Sequence, residues 1–264
     1  MGIVKRADRG DRADDWRARD AVLLLTRPEP AARRFAAEAV QAVGPFAQVV
    51  VSPLQRIVPL APLPDLPWDA ALAFTSENGV AMAAALLAGA GTGGRRRAYC
   101  VGARTAEAAA AAGFEARAAE GCAETLLAAI LADPPPGPVV HVAGRHQRGD
   151  LAERLRAAGL QATRVTAYDQ QAADLSDTAR AALAGERPVV APLFSPRSAT
   201  LLAERLPAPP NAPLLLACLS PAVAKAWTGP RPAATRIAER PSAADLCDVL
   251  RALLSADAGA GRGA

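Results

Sequence analysis

The sequence predicts an α/β protein of two similar lobes, each a parallel sheet flanked by helices, joined by a two-stranded linker, with the first lobe discontinuous. Three observations carry this expectation. Short apolar, β-branched runs alternate with helix-period stretches along nearly the whole chain, the pattern of parallel sheets covered on both faces. The alternation repeats internally: ALAFTSENGVAMAAAL (Ala71–Leu86) is echoed by APLFSPRSATLLAERL (Ala191–Leu206), and Ala98–Ile130 by Leu215–Leu250. A strand–loop–helix–strand unit at Ala21–Ile57 likewise returns at Val139–Gln171, so the units run A, B, A, B. Since unit A of the first lobe opens the chain and its unit B closes it, the second lobe is inserted.

Taken in order, residues 1–20 are charged throughout and lack apolar periodicity, the composition of a disordered leader rather than a signal peptide. Ala21–Leu25 is a strand, Thr26–Pro30 a polar loop, Ala31–Ala42 a helix stopped by Gly44, and Ala47–Val51 a second strand. Ser52–Trp68 contains prolines at 53, 59, 62, 64 and 67, which should break any regular element and serve as linker. Ala71–Phe74 is a strand and Glu77–Leu87 a helix. Gly89–Gly94 (GAGTGG) matches GxGxxG in letters, but it follows a helix and precedes a strand, so it reads as a loop and not a dinucleotide fingerprint. Ala98–Val101, Arg104–Ala112, Phe114–Ala118 and Gly121–Leu131 continue the alternation up to the proline cluster Asp133–Pro138.

Val139–Ala143 is then a strand and Gly144–Gly149 a loop. Asp150–Ala158 is a helix with Asp150 as cap and Gly159 as stop, and Gln161–Tyr168 is a strand. Gln170–Leu175 should return the chain to the first lobe. Ser176 caps a helix to Ala184, and Val189–Phe194 is a strand weakened centrally by Pro192. Arg197–Leu206, Leu214–Leu219, Ala222–Trp227, Thr235–Ala238 and Ala243–Leu254 complete the pattern, the last opened by Ser242 with Asp245 in an S-x-x-D box. The expected lobes are therefore 21–52 with 171–255 and 69–166, with linkers 53–68 and 167–170 and a frayed tail 256–264.

Composition narrows the function. Net charge is +4, and of 30 basic residues only Lys5 and Lys225 are lysines, a surplus of arginine that a GC-rich coding bias accounts for. No basic run exceeds Arg95–Arg97 and aromatics are 4%, so no nucleic-acid partner is expected. No apolar run is long enough to span a membrane. The cysteines at 100, 122, 218 and 247 form no metal or redox spacing and read as reduced core thiols of a cytoplasmic protein. His141 and His146 lack an HExxH frame, so no metal is expected.

Chemistry should sit at the strand-to-helix turns, because ligands of open α/β sheets bind outside the carboxyl ends of strands, where helix N-termini offer free N–H groups to anions. Six turns carry small or hydroxyl residues: Thr26-Arg27-Pro28, Thr75-Ser76-Glu77, Gly102-Ala103-Arg104, Gly144-Arg145-His146, Ser195-Pro196-Arg197 and Ser220-Pro221-Ala222. Such residues also serve simply as caps. Six turns, three per lobe facing one cleft, would suit a large polyanion. Arg27, Arg104, Arg145 and Arg197 would add charge-assisted donors. No nucleophile frame surrounds Ser76 or Ser195. Tyr168 ends a strand and can donate a proton, or can simply pack there.

The tokens LLLTRPEP, AFTSENGV, CVGARTAEAAAAAGF, HVAGRHQRGDLAERLRAAGL, VTAYDQQ and FSPRSA, in this order and spacing, resemble the uroporphyrinogen-III synthases over about Ala21–Leu254. The resemblance implies a cofactor-free and metal-free lyase. It would convert the linear tetrapyrrole hydroxymethylbilane, which bears eight carboxylates, to uroporphyrinogen III, with loss of water and inversion of ring D through a spiro intermediate. It implies Tyr168 as the catalytic proton donor and turn contacts to substrate from Thr75, Ser76, Gly102, Thr105, Gly144 and Ser195. Arg27, Arg145, Pro196 and Ser220 join them from the turns; many members have Gly-Pro where this chain has Ser220-Pro221. A monomer is expected, in transient contact with the upstream bilane-forming enzyme. The competing reading is a bilobal anion-binding module without catalysis.

Overall fold

The computed structural model describes residues 16–29, 31–60, 66–67, 69–88, 96–146, 149–206 and 210–255. The GAGTGG loop, most of the charged leader and the tail 256–264 lie outside these residues. The chain divides into two compact units, one formed by the described parts of Met1–Gln55 and Ala172–Ala264, the other by those of Arg56–Gln171.

The first unit is built on a five-stranded sheet. Its strands are β1 (Val22–Leu25), β2 (Gln48–Val51), β9 (Val189–Leu193), β10 (Leu214–Cys218) and β11 (Ala234–Ile237), all pairing in parallel. They lie in the order β11-β10-β9-β1-β2. The central strands read VLLL, VVAPL and LLLAC and are buried at every position, as strands covered on both faces must be. One face is covered by α1 (Ala31–Val43) and α9 (Ala243–Leu254), with Phe35, Leu246 and Leu250 in its core. The other is covered by α6 (Asp177–Ala184), α7 (Pro196–Arg205) and α8 (Pro221–Lys225), with Leu183, Leu202 and Val223.

The second unit holds six strands: β3 (Gln55–Pro59), β4 (Ala71–Phe74), β5 (Arg97–Cys100), β6 (Glu115–Ala118), β7 (Val139–Gly144) and β8 (Ala162–Ala172). Their order is β3-β8-β7-β4-β5-β6. Helices α2 (Glu77–Leu87) and α3 (Ala103–Ala111) cover one face. On the other, Leu126 and Ile130 of α4 (Ala123–Ala132) pack with Leu151 and Leu155 of α5 (Leu151–Ala157). The repeat explains the layout. Apart from β3, the order β8-β7-β4-β5-β6 corresponds strand for strand to β2-β1-β9-β10-β11, and the sheets differ only in whether unit A precedes or follows unit B in the chain.

The structure corrects several expectations. Residues 53–68 do not lack regular structure: Gln55–Pro59 is a strand, because the five residues between Pro53 and Pro59 all keep their N–H groups. Residues 167–170 lie inside β8, which runs on to Ala172. Pro192 leaves β9 continuous and weakens it on one side only. Val189 N–H donates to the Pro213 carbonyl (2.9 Å) and the Leu193 carbonyl accepts from Leu219 N–H (3.0 Å), so the odd positions address β10. Pro192 therefore addresses β1, and lacking an N–H it ends that ladder at Val190, while the ladder to β10 runs on to Leu193.

The fold also begins before residue 21: Ala18–Asp20 is a 3₁₀ turn, with Ala18 buried and Trp16 packed against the α1–α9 core. Asp150 occupies the cap position of α5 but makes no side-chain capping bond. Cys122 is exposed at the N-cap of α4, whereas Cys100, Cys218 and Cys247 are buried. Arg96 is buried and donates to the carbonyls of Pro67 (2.6 Å) and Ala70 (3.4 Å), so it adds nothing to a basic surface. No helix among the described residues is long and apolar enough to cross a membrane.

Candidate active site

The six hydroxyl- or glycine-bearing turns follow β1, β9 and β10 in one sheet and β4, β5 and β7 in the other. Within each parallel sheet they share the carboxyl edge. In the second unit the strand order reverses between β4 and β7, the position where open α/β sheets bind ligands.

Thr75, Ser76, Gly144 and Tyr168 come together there. The Tyr168 hydroxyl lies 2.9 Å from Ser76 Oγ, and Ser76 Oγ also accepts from the Gly79 N–H (3.3 Å) as N-cap of α2. The Tyr168 ring is 1% exposed within the α2–α3 core, with its hydroxyl turned to Ser76. A bulge puts it there: Ala143 pairs Thr166 but Gly144 pairs Tyr168, so β8 carries one extra residue and both Ala167 and Tyr168 enter the same core. The ring rests against Gly144, where an added Cβ would stand 2.6 Å from Tyr168 Cε2 and 2.8 Å from Cζ. Arg145 N–H donates to the Tyr168 carbonyl (2.9 Å). Burial raises the Tyr168 pKa, an effect the Ser76 bond partly offsets, so the hydroxyl stays protonated at neutral pH.

Thr75 Oγ1 sits 3.4 Å from Nε2 of His141, which is 2% exposed. Burial, with Arg164 nearby, lowers the His141 pKa to about 4. A histidine depressed in the folded state binds its proton less readily than in the unfolded chain. Between about pH 4 and the ordinary 6.5 only the unfolded chain is protonated there, so stability rises with pH through that window. Urea melts at stepped pH values should show this slope, and His141→Gln should reduce it.

Arg145 is not a bare substrate donor. Its Nη1 meets Asp169 Oδ2 at 3.1 Å, while Asp169 Oδ1 accepts from the Gln170 N–H (2.8 Å) and lies 3.4 Å from His146 Nε2. The Asp169 carboxylate is buried, whereas Arg145 is exposed, so the acid fixes the arginine at the mouth of the turn. Gly102 is the N-cap of α3; a Cβ there would meet only Gly121 Cα, at an ordinary 3.5 Å, so space does not demand glycine. Thr105 is buried in the first turn of α3, and its hydroxyl is not at the surface.

In the first unit, the Arg27 guanidinium lies 4.2 Å over the Phe194 ring, which packs edge-on against Phe35 at 4.9 Å. This joins the β1 and β9 turns at the point where that sheet's order reverses. Ser195 is engaged in a capping box with Ser198, its Oγ accepting from Ser198 N–H (3.1 Å); Pro196 is the first residue of α7 and is exposed. Ser220 caps α8, accepting from Val223 N–H (3.4 Å). The sequence reading missed His141, Asp169, Phe194 and Gly79, the last of which brings α2 so close that a Cβ would stand 2.9 Å from the Val142 carbonyl. A polar residue inside an otherwise apolar strand was the available signal for His141. For Asp169 only its adjacency to Tyr168 pointed there. Among the described residues no group of three or more His, Cys, Asp or Glu could hold a metal.

A family model described as Uroporphyrinogen-III synthase HemD matches residues 35–248. No curated protein matches the sequence. Among solved structures, uroporphyrinogen-III synthetase from Helicobacter pylori is similar with a TM-score of 0.56 at 14% identity, covering 88% of this chain and 99% of that one. A mutant uroporphyrinogen III synthase from the extremely thermophilic bacterium Thermus thermophilus covers 88% and 97%, with a TM-score of 0.45 at 16% identity.

Proposed function

Because the chain belongs to the uroporphyrinogen-III synthase family, we propose that it cyclises hydroxymethylbilane to uroporphyrinogen III, with loss of water and inversion of ring D. The observation that carries this reading is the Ser76–Tyr168 hydroxyl pair at the β4–β7 switch point, held between a glycine on one side and a helix N-terminus on the other. The pair presents a proton donor beside a ready anion site.

In this reading the substrate's carboxylates meet the N–H groups and hydroxyls of the turns at Thr75-Ser76, Gly102, Gly144, Ser195-Pro196 and Ser220, with Arg27 and Arg145 as cationic donors. Phe194 holds Arg27 by its ring face and Asp169 holds Arg145 by charge. Positioning the two ends of the bilane together supplies most of the rate. Tyr168 donates to Ser76 Oγ, which frees the half-buried Ser76 to pass its own proton to the departing hydroxyl. The hydroxyl leaves as water and an azafulvene cation remains. The substituted carbon of ring D attacks to give the spiro intermediate, which fragments and recloses with the ring inverted, and a pyrrole carbon releases the proton that balances the one given. The pyrrole nitrogen drives ionisation, so a weak acid suffices.

No step asks for a metal or a nucleotide, and dialysis against a chelator is expected to leave the rate unchanged. Restoration of activity only by an added metal would contradict this. A cytoplasmic monomer that receives its substrate in transient contact with the bilane-forming enzyme accords with the reading. The test is the rate of hydroxymethylbilane consumption against the protein-free control: acceleration proportional to protein supports a synthase, whereas binding without acceleration supports the anion-binding module.

A further inference from the structure

His141 lies in β7 two residues from Val139, which packs with Leu151 and Leu155 of α5, so by strand alternation it shares the face covered by α4 and α5. Its ring is buried and its Nδ1 has no partner, while Nε2 faces Thr75 Oγ1 at 3.4 Å. A neutral imidazole carries one N–H. On Nδ1 that proton would be a buried, unpaired donor, the costlier arrangement; on Nε2 only a lone pair goes unpaired, which interiors tolerate better. The N–H therefore belongs on Nε2 and donates to Thr75 Oγ1. Among the described residues Thr75 Oγ1 has no other hydrogen bond, and Thr75 is half-buried at the carboxyl end of β4. With its inner lone pair occupied, the hydroxyl has its own proton left to give outward.

We propose that His141 is a positioning residue that turns the Thr75 hydroxyl into an outward-facing donor for a carboxylate of the substrate; this rests on the function proposed above. The adjacent hydroxyls at the end of β4 are then built alike. Ser76 is backed by the buried Tyr168 ring in the α2–α3 core and Thr75 by the buried His141 ring in the α4–α5 core, one on each face of the sheet. The groups that bear charge near His141 are Arg164, its partner across the ladder in β8, and Glu153 of α5. Burial keeps the ring neutral at pH 7, so the single-proton argument holds where the enzyme works.

The first arm of the test is nitrogen NMR of histidine-labelled protein at pH 7. The chain has only His141 and His146, and His146→Gln assigns the signals. The Nε2–H tautomer is expected for His141, with a resonance that moves in Thr75→Val; an Nδ1–H tautomer overturns the proposal whatever the activity. The second arm is kinetic. His141→Met should raise KM roughly 10- to 150-fold with kcat nearly unchanged, the size expected for losing one hydrogen bond to a charged group. His141→Gln, whose amide can still donate, should restore most of the loss. The double variant His141→Met/Thr75→Val should be no worse than Thr75→Val alone. Full additivity, or a fall in melting temperature with KM unchanged, would show that His141 only fills the core. The same comparison on Kd for uroporphyrinogen III, an octacarboxylate, reads the contact without turnover, so failure of the proposed reaction and failure of this contact are separable.

Discussion

Replacing Gly144 by alanine is expected to cost both stability and most of the turnover. The reason is space. Gly144 is not among the glycines with positive φ, so its backbone suits any residue. An alanine Cβ would stand 2.6 Å from Tyr168 Cε2, closer than packed carbons approach. The ring cannot yield cheaply, because it is 1% exposed and its hydroxyl is tied to Ser76. Overpacking of this kind typically costs about 1–3 kcal/mol. The displaced ring would also pull its hydroxyl away from Ser76, so kcat should fall at least as far as when that hydroxyl is removed. Urea unfolding reads the first effect and isomer III formation the second. Unchanged values of both would mean that the ring does not rest on Gly144.

Tyr168→Phe is expected to keep the fold and slow the reaction. The ring and its packing remain. What is lost is one buried hydrogen bond to Ser76, about 0.5–1.5 kcal/mol. Ser76 keeps the Gly79 N–H and its access to solvent, so it is not stranded. A positioned acid contributes about 10²–10⁴-fold. The lower end is expected, since the pyrrole already expels the hydroxyl and water can replace part of the relay. Affinity should change less than turnover, because carboxylate contacts at the turns are untouched. Uncatalysed closure without inversion would then compete, shifting the product towards isomer I. Wild-type turnover with pure isomer III would reduce Tyr168 to a packed aromatic.

The alternation of elements was legible because parallel strands covered on both faces leave uninterrupted apolar runs such as Val22–Leu25 and Leu214–Cys218. The repeat was legible because both lobes use the same strand layout. What stayed hidden depended on direction. Proline punctuation concealed β3, although the residues between Pro53 and Pro59 can still pair, and the sequence could not show that Pro192 ends only the β1 ladder while the β10 ladder runs on. Likewise, period-2 alternation cannot show the bulge that turns Tyr168 inward, so the sequence left open whether it packs or donates. The turn residues were proposed from their type and place. Their backing groups were not, because His141 and Asp169 are polar residues in strands, and only the folded sheet shows that His141 reaches Thr75 and Asp169 reaches Arg145. For Thr105 the spacing from Gly102 gives the turn but not the side, and the residue lies on the buried side of α3.

The central claim is that this chain inverts ring D, and the most direct measurement is the isomer composition of its product. Hydroxymethylbilane is incubated with the wild-type protein and, in parallel, without it. The porphyrinogens are oxidised to porphyrins and isomers I and III are resolved by chromatography. The account predicts isomer III as the dominant product, formed at a rate proportional to protein. Isomer I alone, appearing at the spontaneous rate in both samples, would contradict it.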